Sequence, residues 1–189
     1  MSKIKYVLGI DGSLSVTGLA IIDRKTEELL LATKVSTTKA KFPILEQRIH
    51  WIGASILRFM ASFYPNLSSY YCGLENGFIG KSKGDGLNLG TMRGCCIGMI
   101  KMSGSEIQMF EPKAIRSKLS KGDMDKEEVY DYIIQKYGLD HPVIQAIGPY
   151  SDKNNSHKTS DIYDAIGIAI ATKRSLDEKE CQENEINQS

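Results

Sequence analysis

The chain has 189 residues, a formal net charge of +1, 41% hydrophobic and 25% charged residues, which suits one soluble globular domain with a sizeable core. No apolar run approaches the roughly 20 residues that cross a bilayer, and residues 1–13 turn polar too soon for a secretory signal. A membrane span and a secretory route are therefore set aside, and a cytoplasmic setting is expected.

Residues 6–11 (YVLGID) form a short apolar run ending in an acid. With residues 17–22 and 29–35 they predict an antiparallel three-strand meander, the polar residues 23–28 making the turn between the last two. Residues 43–63 place Ile44, Leu45, Ile49, Ile52, Ile56, Phe59 and Met60 at helical spacing. Pro43 is expected in the first turn of that helix, and Pro65 lies beyond its end. Residues 70–75 (YYCGLE) read as a fourth strand that again ends in an acid. A loop over 76–86 leads to a helix over 87–102, a fifth strand over 107–110 and a short helix from Pro112. Residues 118–125 read as a basic loop, 126–137 as a helix, and 154–160 as a polar loop. The last helix is expected over 161–173, and the acidic residues 177–189 as a disordered tail. The order predicts an α/β fold with a central mixed five-stranded sheet flanked by helices, and a single domain over residues 1–176.

Charge is uneven along the chain. Five acids against one lysine make residues 177–189 carry −4, so the remainder carries +5. Residues 81–126 hold nine Lys/Arg against five Asp/Glu, a surplus that can face phosphates or simply be solvated. Cys72, Cys95, Cys96 and Cys181 show neither paired metal spacing nor a disulfide framework and read as reduced filler.

Four acids carry the chemistry. Asp11 and Glu75 end strands, and Asp161 and Asp164 share one helix face at i, i+3. Singly, each has an ordinary reading as a turn former or a helix cap. The context favours more, because Asp161 and Asp164 open a helix that continues AIGIAIA and must be buried. Acids there are costly without a counter-ion. Gathered together they would repel one another, and hard divalent cations remove that conflict. Two magnesium ions about 4 Å apart, with manganese able to substitute, can activate water and stabilise the leaving oxygen of a phosphodiester.

These residues resemble a known family, the RuvC-type Holliday junction resolvases of the RNase H-like superfamily, from Val7 to about Thr172. GIDGSLSVTG from Gly9 resembles the opening strand–Asp–turn–Thr-Gly motif, and ENGF from Glu75 the second acidic strand end. LGTMRG from Leu89 resembles the start of the following helix, PKAIRSKLSKGDMDKEEV from Pro112 the basic loop and its helix, and DIYDA from Asp161 the closing acidic pair. The resemblance implies a homodimer that resolves four-way DNA junctions with magnesium through paired nicks leaving 5′-phosphates. It implies Asp11, Glu75, Asp161 and Asp164 as catalytic metal ligands. It also implies DNA contacts from Phe78, Lys81, Lys83, Arg93, Arg116, Lys118, Lys121 and Lys126, of which Arg116 and Lys126 fall where the family carries functional basic residues.

Other readings stay open. Phe78 can stack on an unpaired base or anchor its loop, and His157 can approach the metals or sit in solvent. Gly94, Cys95, Cys96 and Gly98 allow close helix contact at a dimer interface or against the sheet. The sequence departs from the family at Gly12, where proline is usual, at Arg116, where lysine is usual, and in a basic loop one residue short with only Gly122. These departures leave cleavage-sequence preference and any branch-migration helicase partner unassigned, and would suit a phage-encoded relative. The altered loop also motivates a broader nuclease for forks and flaps; a separate alternative is a catalytically silent module that binds DNA structure, against which the retention of all four acids argues.

Overall fold

The computed structural model describes residues 4–76, 83–151 and 159–186. Three strands, β1 (Tyr6–Asp11), β2 (Val16–Asp23) and β3 (Leu29–Ser36), form the expected antiparallel meander. The chain then crosses through α1 (Leu45–Phe63) to β4 (Tyr70–Glu75), and through α2 (Lys83–Met102) to β5 (Glu106–Phe110). Both crossovers return parallel strands, so the five-stranded sheet runs β3-β2-β1-β4-β5 and is mixed. Helices α3 (Pro112–Leu119), α4 (Lys126–Tyr137), α5 (Pro142–Ile147) and α6 (Ser160–Ile186) complete the chain.

Strand alternation sorts the side chains into two layers. Leu8, Ile10, Leu19, Ile21, Cys72 and Leu74 face α1 and α2, where Ile52, Ile56, Met60, Met92 and Cys96 close a fully apolar layer. Val7, Ala20 and Ile22 face α6, packing with Ala165, Ile166, Ala169 and Ile170. Gly9 and Gly18 belong to this second face: a Cβ at Gly9 would collide with the Ala165 carbonyl, and one at Gly18 with the Asp161 carbonyl. The backbone of α6 thus rests directly on β1 and β2, closer than any side chain permits.

Several boundaries differ from the sequence reading. Helix α1 begins after Ile44, so Pro43 precedes it. Helix α2 starts at Lys83, four residues earlier than expected. Helix α3 runs to Leu119, which puts Lys118 in a helix and not in the basic loop. Helix α5 was not foreseen; His141 caps it by accepting from the Val143 N–H, with Pro142 in its first turn.

The largest correction is the C-terminus, where residues 177–186 are helical and not a disordered tail. Composition suggested disorder because the acids there are dense, but most of their partners come from distant segments. Asp177 pairs with Arg24 and Lys173, Glu180 with Arg24, and Glu178 with Lys118. Nearby, Glu27 in the β2–β3 turn meets Lys136 at 2.9 Å and Arg174 at 3.1 Å. Arg174 also donates to the carbonyls of Lys118 and Leu119. The far half of α6 is therefore tied to the β2–β3 turn, α3 and α4. Among the described residues no helix is long and apolar enough to cross a membrane.

Candidate metal centre

Parallel pairing of β1 with β4, with Ile10 opposite Leu74, brings Asp11 and Glu75 to neighbouring strand ends. Both lie on the α6 face, because they continue the alternations Val7-Gly9-Asp11 and Tyr71-Gly73-Glu75. Across the antiparallel ladder Asp11 pairs with Gly18. Gly18 is the residue against which the backbone of Asp161 rests. One contact thus fixes the first turn of α6 against the strand that carries Asp11, and the i, i+3 spacing brings Asp164 to the same side. The turn after Asp11 is held as well. Buried Arg48 donates to the carbonyls of Leu14 and Thr37, while Ser13 and Thr17 bond within the turn.

Carboxylate oxygens of Asp11, Asp161 and Asp164 all lie within 4.8 Å of one another. Glu75 is not in that triad but lines the same cleft of about 80 Å³ with Asp11, Asp164, Arg116 and Lys126. Pro112, Ile115, Val129 and Gly167 supply its apolar walls. Burial, then the charges of Asp164, Glu75 and Asp161, holds the Asp11 carboxyl well above the usual carboxylate range. Burial followed by Asp164 raises Glu75. Burial raises Asp164 also, against the opposing pull of the Lys126 charge and hydrogen bond. This donor set of hard oxygens, crowded enough to resist its own ionisation, fits a divalent cation and no soft metal. Asp11, Asp161 and Asp164 could hold one together, with Glu75 at the adjacent edge.

The basic residues separate by helix phase. Arg116 shares a face of α3 with Pro112 and Ile115 and lines the cleft. Lys126, the first residue of α4, places its Nζ 2.9 Å from Asp164 Oδ2. Its backbone is fixed by a capping box in which Asp125 accepts from the Glu128 N–H and Glu128 accepts from the Asp125 N–H. Lys118 does not line the cleft and pairs with Glu178. Lys121 pairs with Glu128 at 2.7 Å. Arg93 is 8% exposed and donates to Asn76 Oδ1 at 3.4 Å. Asn76 in turn donates to Glu111 at 2.6 Å, so Arg93 stands behind Glu75 as a buried cation. Phe78, Lys81 and His157 lie outside the described residues, as does the side chain of Lys83.

Sequence reasoning missed the seat made by Gly9 and Gly18, and it missed the hold of Arg48 on the first turn. Only the capping box had a local signal, the DKEE pattern from Asp125. The glycines look like ordinary strand residues until a helix is laid across them.

Comparison with known proteins adds three findings. The family model described as crossover junction endodeoxyribonuclease RuvC matches residues 7–172. A curated relative of that name from Rickettsia massiliae (strain Mtu5) is 24% identical over 129 residues, covering 67% of this chain and 79% of the relative. Among solved structures, Thermus thermophilus RuvC in complex with Holliday junction substrate is similar with a TM-score of 0.67 at 18% identity, over 92% of this chain and 96% of that one. The yeast mitochondrial Holliday junction resolvase is similar at 0.62 and 12% identity, over 98% and 86% of the two chains. At these identities the structural likeness establishes the fold, an RNase H-like sheet.

Proposed function

Because this chain belongs to the crossover junction endodeoxyribonuclease RuvC family, we propose that Asp11, Glu75, Asp161 and Asp164 are its catalytic metal ligands. The family makes the chain a metal-dependent nuclease that resolves Holliday junctions. The observation that carries the residue assignment is the convergence of three carboxylates within 4.8 Å, two of which, Asp11 and Asp164, line a cleft with Glu75, Arg116 and Lys126.

Two magnesium ions, replaceable by manganese, would supply a nucleophilic water at neutral pH and neutralise charge at the leaving oxygen. The chain's own residues do the rest. The strand ends and the glycine-seated turn of α6 hold the acids in place before DNA arrives, so little reorganisation accompanies the reaction. Arg116 and Lys126 face the scissile phosphate and stabilise the charge that develops on it. The planar guanidinium fork of Arg116 suits it to orient the phosphate, while any proton delivered by a cation in the cleft comes from Lys126. Pro112, Ile115 and Val129 limit the water that reaches the phosphorus from the side.

The nuclease acts as a homodimer in this reading, each copy nicking one strand and leaving a 5′-phosphate. Gly90, Gly94 and Gly98 lie one turn apart on an exposed face of α2, with open space beside each, and Leu87 and Met102 on the same helix are 73% and 90% exposed. A bare glycine face flanked by exposed apolar side chains supports close approach of a second copy's helix. A broader range of branched substrates is favoured by one observation. Lys118 at the end of α3 and Lys121 in the loop after it are held by Glu178 and Glu128, leaving this segment with few cations to spare for reading one junction sequence.

The test is a synthetic mobile four-way junction in magnesium, beside forks and flaps at matched salt. Symmetric paired nicks, lost in EDTA and in Asp11→Asn, are expected. Cleavage that persists in EDTA would overturn the metal-centre assignment, and no cutting of any substrate in magnesium or manganese would favour a binding module.

A further inference from the structure

A lysine ammonium and a divalent cation held on the same carboxylate repel one another at close range. Lys126 Nζ lies 2.9 Å from Asp164 Oδ2, and Asp164 is one of the three acids whose oxygens converge within 4.8 Å. The two positive species therefore compete for one carboxylate. The backbone of Lys126 is held by the Asp125–Glu128 capping box, so only its flexible stem can yield. That side chain is 44% exposed while the Asp164 side chain is 19% exposed, so the lysine has a path to solvent that the acid lacks. Lys121 is engaged by Glu128 and Lys118 by Glu178, and Arg116, the other cation lining the cleft, acts on Asp164 through its charge without the hydrogen bond that Lys126 makes.

We infer that Lys126 is an exchangeable counter-ion of the metal centre, neutralising Asp164 until a divalent cation claims that carboxylate and then turning outward. Lys126 thereby links two events. Cation loading releases an ammonium at the mouth of the cleft, where a DNA phosphate is its next partner, so the cation binds before the scissile phosphate is gripped. The inference rests on the metal-centre reading above and adds an order to it.

Manganese binding to the full-length protein without DNA tests this, by calorimetric titration at low salt, where competition between charges is least screened. Wild type is compared with Lys126→Met and Lys126→Gln. Removing the competitor should tighten manganese binding about tenfold in both variants, the equivalent of one modest charge–charge interaction. The variants should also melt below wild type in EDTA and recover more than wild type on adding manganese. Equal or weaker manganese binding in the variants would overturn the exchange. Wild type that binds no manganese would instead overturn the metal-centre reading itself. Should Lys126→Met fail to fold by circular dichroism, the Gln variant decides.

Discussion

Replacing Asp11 by Asn removes one charge from a cluster that repels itself. Asp11 lies within 4.8 Å of carboxylate oxygens on both Asp161 and Asp164. At an effective dielectric of about 20, two unit charges at that separation repel by roughly 3.5 kcal/mol. The full sum is not realised, because Lys126 offsets part of it and the cluster can share a proton. A net gain of about 1–3 kcal/mol is expected for Asp11→Asn in EDTA at pH 7.5, or roughly 3–10 °C in Tm for a domain of this size. The sign follows from linkage. The folded pKa of Asp11 is raised above its unfolded value, so the folded state holds the proton longer than the unfolded chain does. Wild-type stability is thus undiminished below the ordinary carboxylate range and is lost as pH rises through the raised value. The advantage of the variant should vanish at low pH and grow as pH rises above the ordinary carboxylate range. Divalent cations should reverse it, since wild type gains a full ligand set and Asp11→Asn does not. Calorimetric melting with and without magnesium reads all three effects. An Asp11→Asn protein no more stable than wild type in EDTA at neutral pH would refute the claim that these carboxylates repel one another in the fold.

Gly18→Ala should cost roughly 2–4 kcal/mol in chemical denaturation, because its Cβ would meet the Asp161 carbonyl. The protein that remains folded should lose cleavage by about 100-fold or more, since displacement of α6 by an ångström misplaces both acids. Lys118→Ala should bind junctions within about twofold of wild type, since its ammonium already serves Glu178, while a phosphate contact would cost more and lower the salt dependence. Gel shifts across a salt series distinguish them. Arg24→Ala should lower hydrogen-exchange protection over residues 177–186, where Arg24 pairs with Asp177 and Glu180, and leave the β1–β4 amides unchanged.

Where a physical rule is local, the sequence carries it. The runs YVLGID and YYCGLE end in acids, and parallel pairing of the two strands was enough to set those acids side by side. Helix α4 runs over the expected residues, Lys126 to Tyr137, between a capping box at Asp125 and Gly138. The i, i+3 pair Asp161 and Asp164 followed from helical spacing alone. What stayed hidden depends on contacts between distant segments. Nothing near Gly18 says that a helix 143 positions later will lie on it. The acids after Leu176 look solvated until Arg24 and Lys118 arrive from elsewhere. Lys118 and Arg116 differ by two residues, which is enough on a helix to turn one toward the cleft and the other away.

Helix α6 carries two of the proposed metal ligands at one end and is anchored by ion pairs toward the other, 27 residues in all, or about 40 Å. A slip of one residue along its seat would advance it by about 1.5 Å and rotate it by about 100°, carrying both aspartates away from Asp11. The glycine seat admits only one backbone register, and the Arg24 and Glu27 pairs admit only one at the far end. Alignment of the converging acids is thus set by a beam fixed at both ends, and not by the loops around them. Loops can then change length or charge while the geometry of the acids stays put.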